Sequence, residues 1–381
     1  MKIAIFAGPT GGHFYPALAF CEAFRKRHPE ARILFVTGNR GRHLTQNHRN
    51  ALGIEFNFIP DFPFPRPGQA RFILRIFSFL FKLSFSFFKT NRVMNHFKPD
   101  GCIGFGSYLS FPGLVLSRWK KIPTLLHEQN QRMGQANTWL LNYADRIALS
   151  FEMTEPFLYS YKTILSGLPL RANLVDAARL DRGQTGAFPL KILILGGSQG
   201  SHSLNALWIA TLQLFSDEEK SKIAVIHITG ERDFKAMQET YSSNRIKAAV
   251  MPFYERMEEI YREADLAVTR AGAGTLFELA LFGLPSVILP YPHAEGHQEA
   301  NARYFEKEEA VSLVLEKECA PEILKERVLN LIGSSALRNR LHENLLRLAK
   351  PDAAEKLAEA INDLLQTRPQ TMGELEHAAR P

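Results

Sequence analysis

A row of four polar residues, His127-Glu128-Gln129-Asn130, directly follows the short apolar segment Thr124-Leu125-Leu126. The apolar segment predicts a buried strand, and ligands of open α/β sheets bind beyond the carboxyl ends of their strands. Four consecutive polar side chains at such a position are not typical of core packing. We therefore predict that this row belongs to a functional site.

A second candidate for proton transfer is His13, which follows the glycine-rich turn Gly8-Pro9-Thr10-Gly11-Gly12. The positive end of a helix dipole at this point disfavours the imidazolium, so the ring stays neutral and can accept a proton. His13 is therefore a candidate general base, and Glu128 is a candidate to orient it or to replace it. An isolated histidine is more often a structural residue, and that alternative remains open.

Three glycine-rich turns each follow a predicted strand and precede a predicted helix, at Gly8 to Gly12, Gly196 to Gly200 and Arg270 to Thr275. The free N–H groups and the dipole at a helix start attract phosphate, and the missing Cβ atoms let it come close. A tight turn that only needs positive φ angles is the structural alternative. The chain has no P-loop, and Val36-Thr37-Gly38-Asn39 lacks the acid that dinucleotide folds place after their second strand.

Thr275 and Glu278 have the spacing of a capping box, in which both side chains bind N–H groups at the start of a helix. The functional alternative is that the Glu278 carboxylate accepts two hydrogen bonds from a ribose diol beside a diphosphate. The sequence leaves both interpretations open.

His293, Glu295 and His297 are candidate ligands of a metal ion. Two imidazoles four positions apart can bind one metal ion from a helix. Nearby prolines and a glycine argue against one continuous helix here, and no third ligand is evident. We expect no metal ion and no other cofactor.

The 381 residues are enough for two to three domains, and 45% hydrophobic with 22% charged residues is typical of a folded globular protein. The net charge of +7 favours an anionic partner such as phosphates, acidic lipid headgroups or nucleic acid. We find no recognition motif for nucleic acid and expect no such partner.

Cys21, Cys102 and Cys319 form no close pair, so we expect a reducing compartment. The first residues predict a strand and not a signal peptide.

Short apolar segments alternate with longer helical segments, which is typical of βα units around parallel sheets. Two series of strands are predicted. The first contains Ile3 to Ala7, Ile33 to Thr37, Gly101 to Gly104, Thr124 to His127 and Ile147 to Ser150. The second contains Lys191 to Leu195, Ile223 to Thr229, Ala248 to Phe253, Leu266 to Thr269 and Val287 to Pro290. We predict an α/β fold with two Rossmann-like domains built on parallel sheets.

Composition changes suggest where these domains end. We place the first domain at residues 1–166 and the second at residues 167–350, with a hinge near Gly167. Residues 351–366 have a helical pattern that could cross back to the first domain. The polar residues 367–381 are expected to fray.

The segment from Arg71 to Lys89 predicts an amphipathic helix. Its polar residues recur every three or four positions, at Arg71, Arg75, Ser78, Lys82, Ser86 and Lys89. We assign a membrane-facing role to Phe72, Ile76, Phe79, Leu80, Leu83 and Phe87. Such a helix can lie on an anionic membrane surface, whereas two internal cations interrupt a run already too short to span a bilayer. Packing against the sheet is the structural alternative.

Taken in order, these segments resemble the MurG family of peptidoglycan glycosyltransferases, which add N-acetylglucosamine to undecaprenyl-diphosphate-linked muramyl pentapeptide. The resemblance covers nearly the whole chain. It is carried by Gly11-Gly12-His13 with Pro16 to Ala19, His127 to Asn130, Gly196 to Gly200 with Asn205, Arg270 to Glu278, Gly283 to Pro285, and Gln298 with Asn301.

The resemblance implies the GT-B arrangement, in which two Rossmann-like domains face each other across a cleft. It implies an inverting transfer from UDP-N-acetylglucosamine, held mainly by the second domain, to the lipid-linked acceptor. Anionic inner-membrane lipids are implied as a further partner, and other cell-wall synthesis proteins are candidates. The implied location is the cytoplasmic face of the bacterial inner membrane, with peripheral attachment.

Site residues follow from the resemblance position by position. Thr10, Gly11 and Gly12 would lie near the diphosphate and the acceptor, and Asn130 would contact the donor sugar. Arg171 and Ser198 would bind phosphates, and Tyr254 would hold the uracil by its backbone. Phosphates and ribose would be lined by Ala273, Gly274, Thr275, Leu276, Phe277 and Glu278, and Gln298 would bind the sugar hydroxyls.

Two positions depart from the family pattern. Pro9 stands where a glycine is usual and removes one N–H donor from the first turn, and His297 replaces the first glutamine of a usual pair. Competing functions are another UDP-sugar transferase, a UDP-N-acetylglucosamine epimerase, or a non-catalytic sensor of nucleotide sugars.

Overall fold

The computed structural model divides the chain into two compact units. The first contains Met1–Gln129, Met133–Arg171 and the chain from Asp352, and the second contains Asn130–Arg132 and Ala172–Pro351. The residues that the structure describes are 1–45, 53–62, 72–152, 160–180, 188–197, 200–244, 246–292, 296–315, 317 and 319–367.

The first unit is built around a parallel sheet of seven strands. They are β1 Lys2–Ala7, β2 Arg32–Gly38, β3 Ile54–Ile59, β4 Gly101–Phe105, β5 Thr124–Glu128, β6 Arg146–Leu149 and β7 Thr163–Leu165. Their order across the sheet is β3-β2-β1-β4-β5-β6-β7. Apolar residues run continuously through the central strands because both faces are covered: Ile3 and Ile5 enter the core on one face, and Ala4 and Phe6 enter the core on the other.

The helices between these strands are α1 Gly11–Arg27, α2 Arg42–Thr45, α3 Phe72–Phe97, α4 Ser110–Trp119 and α5 Gln135–Leu140. Helix α1 begins at Gly11, within the first glycine-rich turn, and its last turn carries three basic side chains that complement the helix dipole. The first unit therefore presents a helix N-terminus at the carboxyl end of β1.

The second unit repeats this plan. Its strands are β8 Leu190–Leu195, β9 Ile223–Ile228, β10 Ala248–Met251, β11 Leu266–Thr269, β12 Ser286–Ile288 and β13 Ser312–Leu313, in the order β10-β9-β8-β11-β12-β13. Its helices are α6 Ala172–Ala178, α7 His202–Gln213, α8 Asp217–Ser221, α9 Phe234–Ser243, α10 Met257–Glu263, α11 Ala273–Phe282, α12 His297–Lys307, α13 Pro321–Gly333 and α14 Ser335–Leu348. All of the paired strands are parallel.

The last described helix, α15 Ala353–Gln366, belongs to the first unit. Leu357 and Ile361 join the core beside α1. At the surface, Arg27 binds Glu359 with 2.8 Å between Nη1 and Oε1. The chain thus leaves the first unit at Arg171 and re-enters it at Asp352.

Both sheets have the doubly wound strand order, which confirms the predicted α/β class of two Rossmann-like units. In each sheet the order reverses beside the first strand of the unit, between β1 and β4 and between β8 and β11. Ligands of such sheets bind at this switch point, beyond the carboxyl ends of the strands. The three glycine-rich turns follow β1, β8 and β11.

The structure corrects the membrane-facing side of α3. Phe79, Leu83 and Phe87 pack against the core of the first unit, and Ser86 and Thr90 are fully buried. Of the predicted side chains, Leu80 is exposed, and the other exposed apolar side chains of this helix are Ile73, Leu74, Phe77, Phe81, Phe85 and Phe88. Ile76 is half-buried, and the side chain of Phe72 lies outside the described residues. Both sides of this helix are apolar, so its sequence alone did not tell which side the sheet would cover.

Among the described residues, no helix combines the length and the apolarity needed to cross a bilayer. Cys21, Cys102 and Cys319 are free thiols. Burial raises the pKa of the Cys102 thiol to about 12 and that of Cys21 well above its usual value, so neither is a reactive thiolate at neutral pH.

Candidate active site

His13 is the third residue of α1, at the carboxyl edge of the first sheet. The Thr10 carbonyl closes the turn before it by accepting hydrogen bonds from the N–H groups of His13 and Phe14, at 3.0 and 2.9 Å. The His13 Nδ1 lies 2.8 Å from the Phe105 carbonyl oxygen. Because a carbonyl only accepts, Nδ1 carries the proton and the lone pair of the neutral ring is at Nε2. Nε2 is therefore the nitrogen that can take a proton.

The same carbonyl holds Gln129, which donates to the Phe105 oxygen from Nε2 at 2.9 Å. The next residue, Gly106, has a φ of 72°. A Cβ atom at Gly106 would lie 3.2 Å from both Gln129 Oε1 and His13 Cε1. The end of β4 thus fixes the imidazole and the amide together, and it needs glycine to do so.

His127 lies inside the sheet. Its Nε2 is 3.2 Å from Ser150 Oγ and 3.3 Å from the Gly167 carbonyl oxygen. Burial lowers the pKa of His127 to about 4, so the ring is neutral near pH 7. The first residue of the polar row therefore braces this edge of the sheet from within.

Glu128 is also buried, and its carboxylate holds the start of α5. Its Oε2 accepts hydrogen bonds from the Gly134 N–H at 3.0 Å and from Asn137 Nδ2 at 2.8 Å. A carboxylate near the first turn of a helix is stabilised by the dipole. These contacts make Glu128 a positioning residue for α5, a role that the sequence did not suggest.

The glycine-rich turn of the second unit packs tightly against the end of β9. Gly200 has a φ of 72°, and a Cβ atom there would lie 2.4 Å from the Thr229 carbonyl oxygen. Ser201 caps α7 by accepting from the Leu204 N–H. Ser198, which the resemblance assigns to the diphosphate, lies outside the described residues.

Asn205 ties this turn to a chain of buried side chains. It donates to the Thr229 carbonyl oxygen and to Asp233 Oδ2, both at 2.9 Å, and its Oδ1 is 3.0 Å from His227 Nε2. The chain continues from His227 Nδ1 to the Tyr241 hydroxyl at 2.9 Å. Burial lowers the pKa of His227 to about 3, so this ring is neutral and donates to Asn205 from Nε2.

Arg270 joins the second and third turns, which sequence reasoning missed. Its guanidinium is buried, with Nε 3.2 Å from Ser201 Oγ and Nη2 2.6 Å from Ser203 Oγ. Nη1 donates to the Leu289 carbonyl oxygen at 3.1 Å. One cation therefore binds the start of α7 and the end of β12 while its own backbone begins the third turn.

The helix that follows the third turn has no capping box. Helix α11 begins at Ala273, its N-cap is Gly272, and no side-chain cap bond is present. Thr275 is therefore inside the helix, and the capping-box interpretation of Thr275 and Glu278 is wrong. The Glu278 carboxylate instead accepts from the Tyr261 hydroxyl, 2.6 Å from Oε2.

Profiles of two domains match the chain: the glycosyltransferase family 28 N-terminal domain at residues 3–149 and its C-terminal domain at residues 191–362. A relative from Halothermothrix orenii, UDP-N-acetylglucosamine--N-acetylmuramyl-(pentapeptide) pyrophosphoryl-undecaprenol N-acetylglucosamine transferase, is 33% identical over 95% of this chain and 99% of its own length. A protein of the same name from Thermodesulfovibrio yellowstonii is 33% identical over 97% of this chain and all of its own.

The chain belongs to glycosyltransferase family 28. The crystal structure of Acinetobacter baumannii MurG is 27% identical to this family 28 chain, with a TM-score of 0.73 over 95% of this chain and 99% of that one. A UDP-GlcNAc 2-epimerase from Neisseria meningitidis shares the fold at 14% identity, with a TM-score of 0.66 over 95% of this chain.

Several site residues expected of family 28 meet around the third turn. Gln298 Oε1 accepts from the N–H groups of Ala271 at 3.1 Å and Tyr291 at 2.9 Å. Asn301 donates to the Ala271 carbonyl oxygen and to Asn130 Oδ1, at 3.3 and 3.1 Å. Gln298 and Asn130 are thus brought together through Asn301, within the second unit.

Other expected residues of this family 28 chain have structural partners. Leu276 and Phe277 are buried in the core, so only their backbone could meet a ligand. The Tyr254 hydroxyl donates to Glu259 Oε2 at 2.5 Å, and the Arg171 guanidinium lies 4.9 Å from the centre of the Tyr15 ring. His297, the departure from the family pattern, donates from Nδ1 to the Arg132 carbonyl oxygen at 3.1 Å.

No cluster of three or more potential metal ligands occurs in the part of the chain that the structure describes. Two of the three candidate metal ligands named from the sequence, His293 and Glu295, lie outside the described residues. Only His297 is described.

Proposed function

We propose that this family 28 protein transfers N-acetylglucosamine from UDP-N-acetylglucosamine to the muramyl sugar of undecaprenyl-diphosphate-linked muramyl pentapeptide, in peptidoglycan synthesis. The observation that carries this proposal is the match of nearly the whole chain to relatives that bear the name of this activity. The placement of His13 and of the glycine-rich turns at the switch points of the two sheets supports it.

The reaction is a direct displacement. An acceptor hydroxyl attacks the anomeric carbon, the bond from that carbon to the diphosphate oxygen breaks, and the configuration inverts. His13 accepts the hydroxyl proton at Nε2, because its Nδ1 proton is held by the Phe105 carbonyl. Thr10, Gly11 and Gly12 lie at the start of α1, where backbone N–H groups favour an anionic part of the acceptor.

UDP leaves with negative charge that the second unit is built to receive. The helix starts at the second and third turns, including Ala273, Gly274 and Thr275, offer N–H groups to the diphosphate, with Ser198 as a further partner. Arg171, the last residue of the first unit, is a further candidate for the phosphates. Glu278 accepts from the ribose, and the Tyr254 backbone holds the uracil. Gln298 uses its oxygen for two backbone N–H groups, so we assign its amide N–H₂ to the sugar hydroxyls.

The outer side of α3 attaches the protein to the cytoplasmic face of the inner membrane. Its exposed apolar side chains lie beside exposed cations, Arg75 and Lys82. Such a surface inserts shallowly into the headgroup region and prefers anionic lipids. This attachment would bring the first unit to a lipid-linked acceptor.

Incubation with radiolabelled UDP-N-acetylglucosamine and lipid-linked muramyl acceptor, followed by extraction, tests the activity. Label in the lipid phase supports the proposal, and the His13→Ala protein provides the inactive control. Label that stays in water on a changed sugar would indicate an epimerase. UDP-sugar binding without any turnover would indicate a sensor, and either result would overturn the proposal.

A further inference from the structure

Beyond the residues expected to touch the donor, we propose that Tyr261 is a positioning residue that aims the Glu278 carboxylate at the ribose and so sets the preference of the donor site for ribose over deoxyribose. The inference rests on the proposed function, in which Glu278 accepts from the ribose hydroxyls. It is carried by a buried phenol that holds one oxygen of that carboxylate.

Tyr261 lies in the last turn of α10 and is fully buried. Its hydroxyl donates to Glu278 Oε2 at 2.6 Å, which is the length of a charge-assisted O–H···O⁻ hydrogen bond. The Tyr261 ring stacks on Phe282 with 5.3 Å between the centroids and 30° between the planes. Phe282 is one turn beyond Glu278 on α11, so the helix that carries the carboxylate also holds the ring that orients it.

The carboxylate gains orientation from this contact. A glutamate side chain has three rotatable bonds, and ordering it costs about 1.5–2 kcal/mol of rotamer entropy. The hydrogen bond from Tyr261 orders the Glu278 side chain before the nucleotide binds. Less rotamer entropy is then lost on binding, and this preorganisation raises the affinity. A diol that donates twice to one carboxylate depends on its orientation more than a single hydroxyl does.

A purely structural role would be to satisfy the buried phenol, and it predicts a different result. Loss of the hydroxyl would then lower thermal stability and would weaken all nucleotides alike. A positioning role instead weakens a ligand that donates two hydroxyls to the carboxylate more than one that donates a single hydroxyl, and the effect disappears when the carboxylate is gone. The ratio of affinities for UDP and 2′-deoxy-UDP separates these two roles.

The experiment is calorimetric titration of the full chain with UDP and with 2′-deoxy-UDP. The wild-type protein should prefer UDP, and Tyr261→Phe, which keeps the stacked ring, should weaken UDP binding about tenfold while changing 2′-deoxy-UDP binding by less than about threefold. Glu278→Gln should lose the preference as well. In the Glu278→Gln background, Tyr261→Phe should add less than about twofold.

Tyr241→Phe is the matched control, because Tyr241 is a second buried phenol of the same unit whose hydroxyl binds Trp208 and His227. It should lower the melting temperature without changing the ratio of UDP to 2′-deoxy-UDP affinity. If Tyr261→Phe does not fold, Phe282→Leu tests the same point, because it removes the ring stacked on Tyr261 and should lower the ratio of UDP to 2′-deoxy-UDP affinity, whereas an unchanged ratio would overturn the inference.

An unchanged ratio of UDP to 2′-deoxy-UDP affinity in Tyr261→Phe would overturn the inference. So would a loss of UDP affinity on Tyr261→Phe that is equal in the wild-type and Glu278→Gln backgrounds. Either result would leave the proposed function standing. A wild-type protein that binds UDP and 2′-deoxy-UDP equally would also overturn it. A folded wild-type protein that binds no UDP would overturn the proposed function together with this inference.

Discussion

At the scale of single residues, the hydrogen bond from His13 Nδ1 to the Phe105 carbonyl oxygen has the largest chemical consequence. It assigns the two ring nitrogens different roles, because only Nε2 keeps a lone pair in the neutral ring. Gln129 shares the carbonyl, and Gly106 leaves room for both side chains. A proton acceptor with a defined tautomer is therefore built from backbone as much as from side chains.

Replacement of His13 by alanine should lower kcat about 10²- to 10⁴-fold, the usual contribution of a general base, while KM for the UDP-sugar changes by less than about threefold. Steady-state kinetics with the lipid-linked acceptor measure both quantities. His96→Ala removes an exposed histidine of the same unit and should have no effect. Turnover of His13→Ala near that of the wild type would assign the base to another residue.

The buried imidazole of His227 should make the second unit sensitive to acid. Its pKa is about 3 in the folded protein and near 6.5 in an unfolded chain, so the unfolded state binds the extra proton between these values. The free energy of unfolding should therefore fall as the pH drops from 6.5 towards 3, by about 1.4 kcal/mol per pH unit for one proton.

Urea unfolding at several pH values measures this slope. Trp208, which is buried and bound to Tyr241, can report on the second unit once Trp119 and Trp139 are replaced by phenylalanine. A His227→Gln protein should show a shallower slope in the same background. Equal slopes with and without the imidazole would contradict the prediction.

At the scale of elements, α3 has two apolar sides, one packed on the sheet and one exposed. Phe81→Asp with Phe85→Asp should reduce binding to anionic vesicles at least tenfold, since burying one phenylalanine contributes about 1.5–3 kcal/mol. Vesicle co-sedimentation measures the effect. Ser78→Asp is the control, because it changes the charge on the polar stripe without removing apolar area. Vesicle binding equal to that of the wild type would remove the membrane assignment.

Helix α15 completes the core of the first unit, although it comes from the end of the chain. Ile361 is fully buried beside α1, whereas the Arg27–Glu359 ion pair lies at the surface. Ile361→Ala should lower the free energy of unfolding of this unit by about 2–5 kcal/mol. Glu359→Ala should cost at most about 1 kcal/mol. Urea unfolding measures both free energies. If Ile361→Ala lowered the free energy of unfolding no more than Glu359→Ala does, the buried side of α15 would not stabilise the first unit.

At the scale of the whole molecule, the charge of +7 should make membrane binding dependent on salt. Raising NaCl from about 0.05 to 0.5 M should weaken binding to anionic vesicles, because the Debye length becomes about threefold shorter and the attraction between surface cations and anionic headgroups is screened. Binding that remains at high salt should depend on the exposed apolar side of α3. Salt-independent binding in wild-type protein would contradict the electrostatic part of the prediction.

Periodicity and turn chemistry in the sequence were enough to predict the strands of both series and the three glycine-rich turns, because these are local properties. Three strands were missed for the same reason. β7 and β13 have three and two residues, too few for a recognisable pattern, whereas β3 has the alternation of an edge strand and was overlooked.

Which residues meet was decided only by the tertiary structure. A hydrophobic pattern tells that a side chain is buried but not what covers it, and so the packed side of α3 was assigned wrongly. The partners of Glu128, Glu278 and Arg270 lie on other turns and helices, up to about 70 positions away for Arg270 and Ser201. The sequence by itself determined which chemical groups this protein has. Only the tertiary structure decided how those groups are oriented, because hydrogen-bond partners are set by distance in space and not by distance along the chain.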